Sequence, residues 1–154
     1  MDDLRRLVET DAIARLKARY QRCVDTKDYD GLAACFTEDA CAEYDGGKYA
    51  FAPRDAIIDF LRTSMRDLVT IHQVHTPEID FVSDTEATGI WYLQDIVIAE
   101  ADGMTQLGAG FYRDEYVKDD GVWRIRKTGY ERTFDLWQSH AEVPKWRLRH
   151  RWQK

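Results

Sequence analysis

At 154 residues the chain suits a single domain, which at this size buries roughly 70% of the surface of its unfolded form. Charged residues make up 32% of the chain, and no run of about 18 apolar residues could span a bilayer, which excludes a membrane-spanning protein. The net charge of −6 is uneven, because residues 145–154 hold 5 of the 22 Lys and Arg and no acid. The acidic body should repel nucleic acid, whereas the basic tail could attract anions.

The cysteines and the amino-terminal segment indicate the compartment. Cys23, Cys35 and Cys41 are odd in number and lack CxxC spacing, so we expect reduced, buried thiols rather than disulfides or a zinc site. The first six residues are charged and lead into an amphipathic pattern, unlike a secretory signal. We therefore expect a cytoplasmic protein with neither a membrane nor a nucleic-acid partner.

The first 65 residues predict helices and one hairpin. Apolar residues recur at steps of three and four over Leu4–Thr26, which predicts a long amphipathic helix. A short helix over Lys27–Phe36, with Asp30 as a possible cap, and a turn at Thr37–Ala40 should follow. Asp45-Gly46-Gly47 marks a tight hairpin, and Pro53 suits the first turn of a helix to Met65.

The second half of the chain predicts four long strands. Strand-like runs over about 68–82, 86–101, 104–118 and 122–136 are separated by short turn signals, as in an antiparallel meander. Pro77 predicts a bulge or an edge position in the first of them. Helices followed by a long antiparallel sheet make an α+β domain. Helices folded into the concave side of a bent sheet would form a cone that contains a cavity.

The stretch from Thr70 to Ala101 is the most informative. If its second half is a strand, Asp95 shares a face with Trp91 and Leu93. A carboxylate on such an apolar face usually has a partner or an unusual pKa.

Four side chains should point into the cavity, and they are Tyr20, Asp25, His72 and Asp95. An imidazole beside a carboxylate moves protons near neutral pH, because the carboxylate fixes the tautomer and raises the basicity of the ring. A second carboxylate on an apolar wall can hold its proton and act as an acid. An elimination of water needs this division between base and acid.

Each of these residues also has a purely structural interpretation. His72 could be a core or interface histidine, Asp25 could cap its helix, and Tyr20 could be one more core aromatic residue. His75 lies three positions from His72, so it should face the opposite side of the sheet.

Other chemistries find little support. His72, Asp25 and Asp95 could hold a metal in principle, but the chain lacks two histidines spaced for one face, so we expect no metal. Gly108-Ala109-Gly110 lies within a strand run and precedes no helix, which predicts close packing or a bulge rather than a phosphate loop.

Five short segments together resemble those of a known family: Tyr20–Asp25 (YQRCVD), Phe36–Ala40 (FTEDA), His72–Ile79 (HQVHTPEI), Ala87–Asp95 (ATGIWYLQD) and Gly121–Ile125 (GVWRI). They resemble the SnoaL-like branch of the NTF2-like superfamily, most closely the bile-acid 7α-dehydratases and more distantly the scytalone dehydratases. The run from His72 to Asp95 is the most specific. The resemblance implies an NTF2-like cone-shaped barrel over residues 1–138, followed by a basic tail at 139–154.

The resemblance also implies an activity and a site. The implied enzyme is a cofactor-independent dehydratase that acts on a hydroxylated steroid, such as a bile-acid-like 3-oxo steroid, as a free acid or a coenzyme A thioester. Its implied catalytic residues are Tyr20, Asp25, His72, Asp95 and Arg132. Tyr44 would line the pocket, and Trp91, on the strand face of Asp95, is expected to contact the substrate.

Assembly and alternative functions remain open on the sequence. The branch implies a homotrimer formed through the convex face of the sheet, which agrees with a strand that is apolar on both faces. One alternative keeps the pocket but isomerises a ketosteroid or opens an epoxide. Another is a non-catalytic small subunit of a ring-hydroxylating dioxygenase.

Overall fold

The computed structural model describes residues 1–153 and contains three α-helices, six strands and one 3₁₀ turn. In chain order the elements are α1 (Asp3–Thr26), α2 (Tyr29–Ala33), β1 (Phe36–Tyr44), β2 (Tyr49–Phe51), α3 (Arg54–Ser64), β3 (Val69–Phe81), β4 (Glu86–Ala99), β5 (Met104–Asp119), β6 (Val122–Ser139) and the 3₁₀ turn His140–Glu142. Among residues 1–153, no helix has both the length and the apolar character needed to cross a bilayer.

The strands form one mixed sheet in the order β2-β1-β6-β5-β4-β3. Strands β3 to β6 pair antiparallel with their chain neighbours, which confirms the predicted meander. β1 forms the predicted hairpin with β2. It also pairs parallel to β6, a long-range contact that no local sequence pattern predicts. Helices ahead of a curved sheet confirm the predicted α+β, NTF2-like cone.

Helix α1 is a continuous helix of 24 residues with a cap at each end. The Asp2 side chain accepts a hydrogen bond from the Arg5 backbone N–H, and Lys27 ends the helix in the left-handed region at φ 62°. The buried side chains follow the predicted spacing of three and four residues, and they include Ile13, Leu16, Tyr20 and Val24. This face lies against the concave side of the sheet.

Two predictions for the segment after α1 are wrong. The second helix is only α2, and its cap is Asp28, whose carboxylate accepts from the Gly31 N–H, rather than Asp30. The predicted turn at Thr37–Ala40 belongs to strand β1. Pairing of Phe36 with Ile125 in β6 draws this segment into the sheet, and a tertiary contact of that kind overrides local turn preference.

Strand β3 bears out the predictions for its proline and its histidines. Its pairing with β4 shifts register between His75 and Glu78, around Pro77, and β3 is an edge of the sheet. His72 lies opposite Asp95, whereas His75 lies opposite Tyr92 and is exposed. The two histidines therefore face opposite sides of the sheet, and only His72 faces inward.

The interior divides into a packed end and a hollow end. Where α1 crosses the sheet, the space is filled by buried side chains that include Trp91, Leu93, Tyr116, Trp123 and Ile125. Toward the opposite end, where α3 covers the sheet, the concave face borders a cavity. Inward-facing side chains therefore belong to the core at one end of the cone and to the cavity lining at the other.

Candidate active site

The cavity has a volume of about 610 Å³ and lies between α1, α3 and the concave face of β3 to β6. Most of its wall is apolar, from residues such as Val24, Leu61 and Val97. Its polar side chains include His72, Asp95, Arg132 and several tyrosines. A mostly apolar hollow with a few convergent polar groups is the usual form of a small-molecule site.

His72 and Asp25 form a hydrogen-bonded dyad at the wall of the cavity. His72 Nδ1 lies 2.7 Å from Asp25 Oδ1, and the His72 backbone N–H donates to Asp25 Oδ2 at 2.9 Å. The carboxylate at the end of α1 therefore fixes both the strand and the ring. The His72 side chain is 10% exposed, and with Nδ1 engaged its Nε2 is the nitrogen left for a substrate.

A second layer of polar groups holds Asp25 in place. The Thr70 hydroxyl donates to Asp25 Oδ1 at 2.9 Å and lies 3.5 Å from Lys27 Nζ. Burial lowers the pKa of Lys27, while the charge of Asp25 opposes that shift. Asp25 therefore has hydrogen-bond donors on both of its oxygens, which is the orienting role expected of the partner of a catalytic histidine.

Asp95 and Arg132 form a bidentate ion pair on the concave face of the sheet, next to His72, which is the cross-strand neighbour of Asp95. Arg132 Nη1 and Nη2 donate to the two carboxylate oxygens of Asp95 at 2.8 and 2.6 Å. These hydrogen bonds raise the pKa of Arg132 above its usual value. Gly108 lies between them, and a Cβ there would overlap Arg132 and come within 2.8 Å of Asp95 Oδ1. The predicted close packing at Gly108 is thus confirmed.

Tyrosines form the inner wall of the cavity. The hydroxyl groups of Tyr20 and Tyr44 lie 3.2 Å apart, and both residues are buried. Burial raises the pKa of Tyr20 and of Tyr44 above the usual value, so both phenols keep their protons at neutral pH. Tyr112 and Tyr130 complete this wall. A protonated phenol pair can donate a hydrogen bond to a substrate oxygen.

The structure brings the predicted site residues together, with one exception. Tyr20, Tyr44, His72, Asp95 and Arg132 line the cavity, and Asp25 stands behind His72. Among residues 1–153 the cavity lining does not include Trp91.

We therefore correct the substrate-contact prediction for Trp91. Its indole N–H donates to the Tyr116 hydroxyl at 2.8 Å, and it is buried in the packed end of the cone. It shares the strand face of Asp95, as predicted, but at Trp91 that face is packed in the core, whereas at Asp95 it borders the cavity.

Among the site residues that sequence reasoning missed are Thr70, Tyr112, Tyr130 and Trp137. Thr70 carried a usable signal, because it precedes His72 by two positions and so faces the same side of the strand. The other three needed the register of β5 and β6, which bulges at two places.

No group of three or more His, Cys, Asp and Glu within residues 1–153 is arranged to hold a metal ion. Cys23, Cys35 and Cys41 are all free thiols, as predicted. Cys23 and Cys35 are buried, whereas Cys41 is half-buried, which corrects that part of the prediction.

Helices packed on a curved, mixed six-stranded sheet around a mostly apolar cavity define an NTF2-like cone fold. A model of the SnoaL-like domain matches residues 5–129, and the chain belongs to that family.

Three solved structures are similar to the chain. A scytalone dehydratase-like protein from Novosphingobium aromaticivorans is 29% identical, with a TM-score of 0.80 over 86% of this chain and 89% of that chain. A hexachlorocyclohexane dehydrochlorinase, LinA type 2, is 24% identical, with a TM-score of 0.82 over 94% and 99%. A protein of unknown function from Mycobacterium tuberculosis is 29% identical, with a TM-score of 0.73 over 82% and 73%.

Proposed function

We propose that the protein is a cofactor-independent dehydratase that eliminates water from a hydroxylated polycyclic substrate, a 3-oxo steroid resembling a bile acid. The observation that carries the proposal is the His72–Asp25 dyad at the wall of a mostly apolar cavity of about 610 Å³. A volume within the range of roughly 300 to 1,000 Å³ suits a compact organic ligand. The similarity to a scytalone dehydratase-like protein supports a dehydration.

In this mechanism His72 is the base. Its Nε2 takes a proton from a carbon that a conjugated ketone has made acidic, and Asp25 stabilises the imidazolium that results. The apolar wall excludes water and so strengthens the electrostatic interaction between the two residues. Positioned proton transfer of this kind typically contributes about 10²- to 10⁴-fold in rate.

The sequence left Tyr20 and Asp95 as alternative acids, and the contacts favour Tyr20. Both oxygens of Asp95 accept hydrogen bonds from Arg132, so that carboxylate is engaged as an anchor. Tyr20 keeps its proton because burial raises its pKa, and its hydroxyl lies in the cavity wall beside that of Tyr44. Tyr20 then protonates the departing hydroxyl group.

Arg132 has a separate role in the proposal. Asp95 uses one N–H of each terminal nitrogen, so the guanidinium has further donors for the oxygen that gains negative charge as the proton leaves carbon. The substrate is a free acid or a coenzyme A thioester. The thioester's handle would lie outside the cavity, where the basic residues 145–154 carry the opposite charge.

The test is a panel of 3-oxo-4-ene steroids with and without a 7-hydroxyl group, followed by mass spectrometry. Dehydration removes the mass of one water from the 7-hydroxylated members only, whereas isomerisation leaves the mass unchanged and epoxide opening adds a water. His72→Ala should lower kcat/KM by about 10²- to 10⁴-fold. An unchanged panel, or wild-type turnover by His72→Ala, would contradict the proposal.

The proposal includes a homotrimer assembled through the convex face of the sheet. Its support is a row of outward-facing apolar side chains, among which Ile71, Tyr92, Phe134 and Leu136 are each more than 40% exposed. A cytoplasmic location and independence from any cofactor stay predictions of the sequence. Purification as a homo-oligomer, rather than with a large iron-containing chain, separates the enzyme from the dioxygenase-subunit alternative.

A further inference from the structure

A buried ion pair behind the tyrosine wall has no part in the mechanism proposed above. Lys17 Nζ, from α1, lies 2.7 Å from Asp114 Oδ2, from β5, and both side chains are 0% exposed. Taking two charges out of water costs more free energy than an apolar pair of the same volume. Burial lowers the pKa of Lys17, while the Asp114 charge opposes that shift.

Asp114 is held rigidly from its own side of the core. Tyr116 donates a hydrogen bond to Asp114 Oδ2 at 2.6 Å, and Thr128 donates to Oδ1 at 2.6 Å. Tyr116 in turn accepts from the Trp91 indole at 2.8 Å. The carboxylate is therefore a fixed anchor, and the position of the Lys17 ammonium follows from it.

The ammonium group of Lys17 also touches the wall of the cavity. It lies 3.5 Å from the ring centre of Tyr112 and 4.8 Å from that of Tyr20. The ammonium group is paired with Asp114 at 2.7 Å on one side, and the faces of the two aromatic rings are its further electrostatic partners. A desolvated cation over an aromatic face is among the stronger forms of this interaction.

These rings carry the hydroxyl group that the mechanism uses. Tyr20 and Tyr112 pack edge to face at 6.2 Å and 85°, and both line the cavity. Tyr20 then meets Tyr44 through their hydroxyl groups at 3.2 Å. One continuous chain of contacts therefore leads from the core to the cavity. It runs from Asp114 through Lys17 and the two rings to the pair of hydroxyl groups.

We propose that Lys17 is a positioning residue of the active site, whose ammonium group, anchored by Asp114, fixes the rings of Tyr20 and Tyr112 and so aims the Tyr20 hydroxyl at the substrate. This inference rests on the proposed function, because that function gives the Tyr20 hydroxyl its role. Lys17 acts through Tyr20 and does not touch the substrate.

The test compares Lys17→Met with the double variant Lys17→Met/Asp114→Asn. The single variant leaves the Asp114 charge buried alone and should lose stability. The double variant removes both charges, and its Asn side chain can still accept a hydrogen bond from one of the two hydroxyl groups, of Tyr116 or Thr128, while its amide N–H₂ faces the other, so the fold stays testable. The matched control is Lys118→Met, which removes the ion pair with Glu9, away from the cavity lining.

In the double variant we expect kcat on a 7-hydroxy-3-oxo-4-ene steroid to fall about 10²-fold, with KM changed less than about threefold, because misplaced groups lower the rate more than they lower binding. The Cζ resonances of labelled Tyr20 and Tyr112 should shift in nuclear magnetic resonance spectra. Lys118→Met should change neither quantity.

A double variant with wild-type kcat and unmoved tyrosine resonances would overturn the inference and leave the proposed function intact. A wild-type protein that turns over none of the steroids would instead overturn the proposed function. In that case the tyrosine resonances alone decide whether Lys17 positions the wall, with a shift supporting the inference and no shift overturning it.

Discussion

At the scale of single residues, the site depends on how Asp25 contacts His72. One carboxylate oxygen meets Nδ1 of the ring and the other accepts the backbone N–H of the same residue. Such an arrangement sets the tautomer and the position of the ring together, which a hydrogen bond to the ring alone would not do.

Asp25→Asn should therefore lower kcat/KM about 10²- to 10⁴-fold while the protein stays folded. The amide can keep one hydrogen bond, but it cannot accept from both the backbone N–H and the Nδ1–H of His72. It also carries no charge to balance the imidazolium. Steady-state kinetics together with circular dichroism provide the measurement. Thr70→Val, which removes only the neighbouring hydrogen bond to Asp25, should have a smaller effect.

Gly108→Ala should disrupt the pair of Asp95 and Arg132. The added Cβ overlaps the Arg132 guanidinium, which must then leave the carboxylate buried without its partner. We expect lower thermal stability and at least about tenfold lower kcat/KM.

A matched variant, Gly108→Ala/Arg132→Ala, separates the two effects of the added methyl group. Removing the guanidinium relieves the overlap, so the two substitutions should be non-additive in the free energy of unfolding. Additive losses of stability would show that the added methyl group does not destabilise the protein through its overlap with Arg132.

At the scale of elements, Glu9 ties the start of α1 to the sheet. Its carboxylate accepts hydrogen bonds from Lys118 Nζ at 2.6 Å and from the Trp123 indole at 2.7 Å. These two hydrogen bonds lower the pKa of Glu9 below its usual value. A depressed carboxyl pKa adds stability above the unfolded-state pKa, and that stability is lost as the pH falls through the folded-state pKa.

Glu9→Gln should accordingly destabilise the protein at about pH 7 and much less at about pH 3, because this stability begins to be lost below the ordinary Glu pKa of about 4.3 and is lost further as the pH falls toward the lower pKa of Glu9 in the folded protein. Urea unfolding of both proteins at the two pH values provides the measurement. Asp11→Asn, which breaks an exposed ion pair on the same helix, should show no comparable pH-dependent difference. Equal destabilisation at both pH values would contradict this account of the tie.

What the sequence could predict follows from the range of each contact. Helical periodicity gave α1 and α3, and strand alternation gave the shared face of Trp91 and Asp95. The pairing of β1 with β6 joins residues 86 to 89 positions apart, and for that reason the local turn signals at Thr37–Ala40 gave a wrong prediction. Strand alternation predicts which face Trp91 is on, but it does not predict whether that part of the face is packed in the core or borders the cavity.

The site divides in the same way. His72 and Asp25 could be predicted from residue types and resemblance, because one lies in an inward-facing strand position and the other near a helix end. The use of both Asp95 oxygens by Arg132 could not be predicted, since it depends on the gap at Gly108 and the register of three strands. Because Arg132 engages both oxygens of Asp95, the structure favours Tyr20 over Asp95 as the general acid.

At the scale of the whole molecule, the convex face of the sheet presents apolar side chains to solvent. Leu136 and Phe134 are 58% and 56% exposed, and Leu136 pairs across the sheet with Leu107. Contiguous exposed apolar surface of this kind marks protein interfaces. The cavity opens from the concave face, so assembly through the convex face would leave it accessible.

We predict a homotrimer with three times the 18.0 kDa mass of the chain, measured by light scattering after size-exclusion chromatography. Phe134→Glu/Leu136→Glu should shift the protein to monomers, because charges in an apolar interface are costly to bury. Val82→Glu, which replaces a valine that is 68% exposed elsewhere, should leave the trimer intact. A monomeric wild-type protein would contradict the prediction.

The central claim is that the imidazole of His72 removes a proton from a substrate carbon. The most direct measurement uses a 7-hydroxy-3-oxo-4-ene steroid with deuterium at the carbon that loses the proton, followed by mass spectrometry of the product and the rate of its formation. We predict a dehydrated product that lacks the deuterium, a slower reaction than with the unlabelled steroid, and product formation that is about 10²- to 10⁴-fold slower with His72→Ala. Product formed by His72→Ala at the wild-type rate would contradict the account.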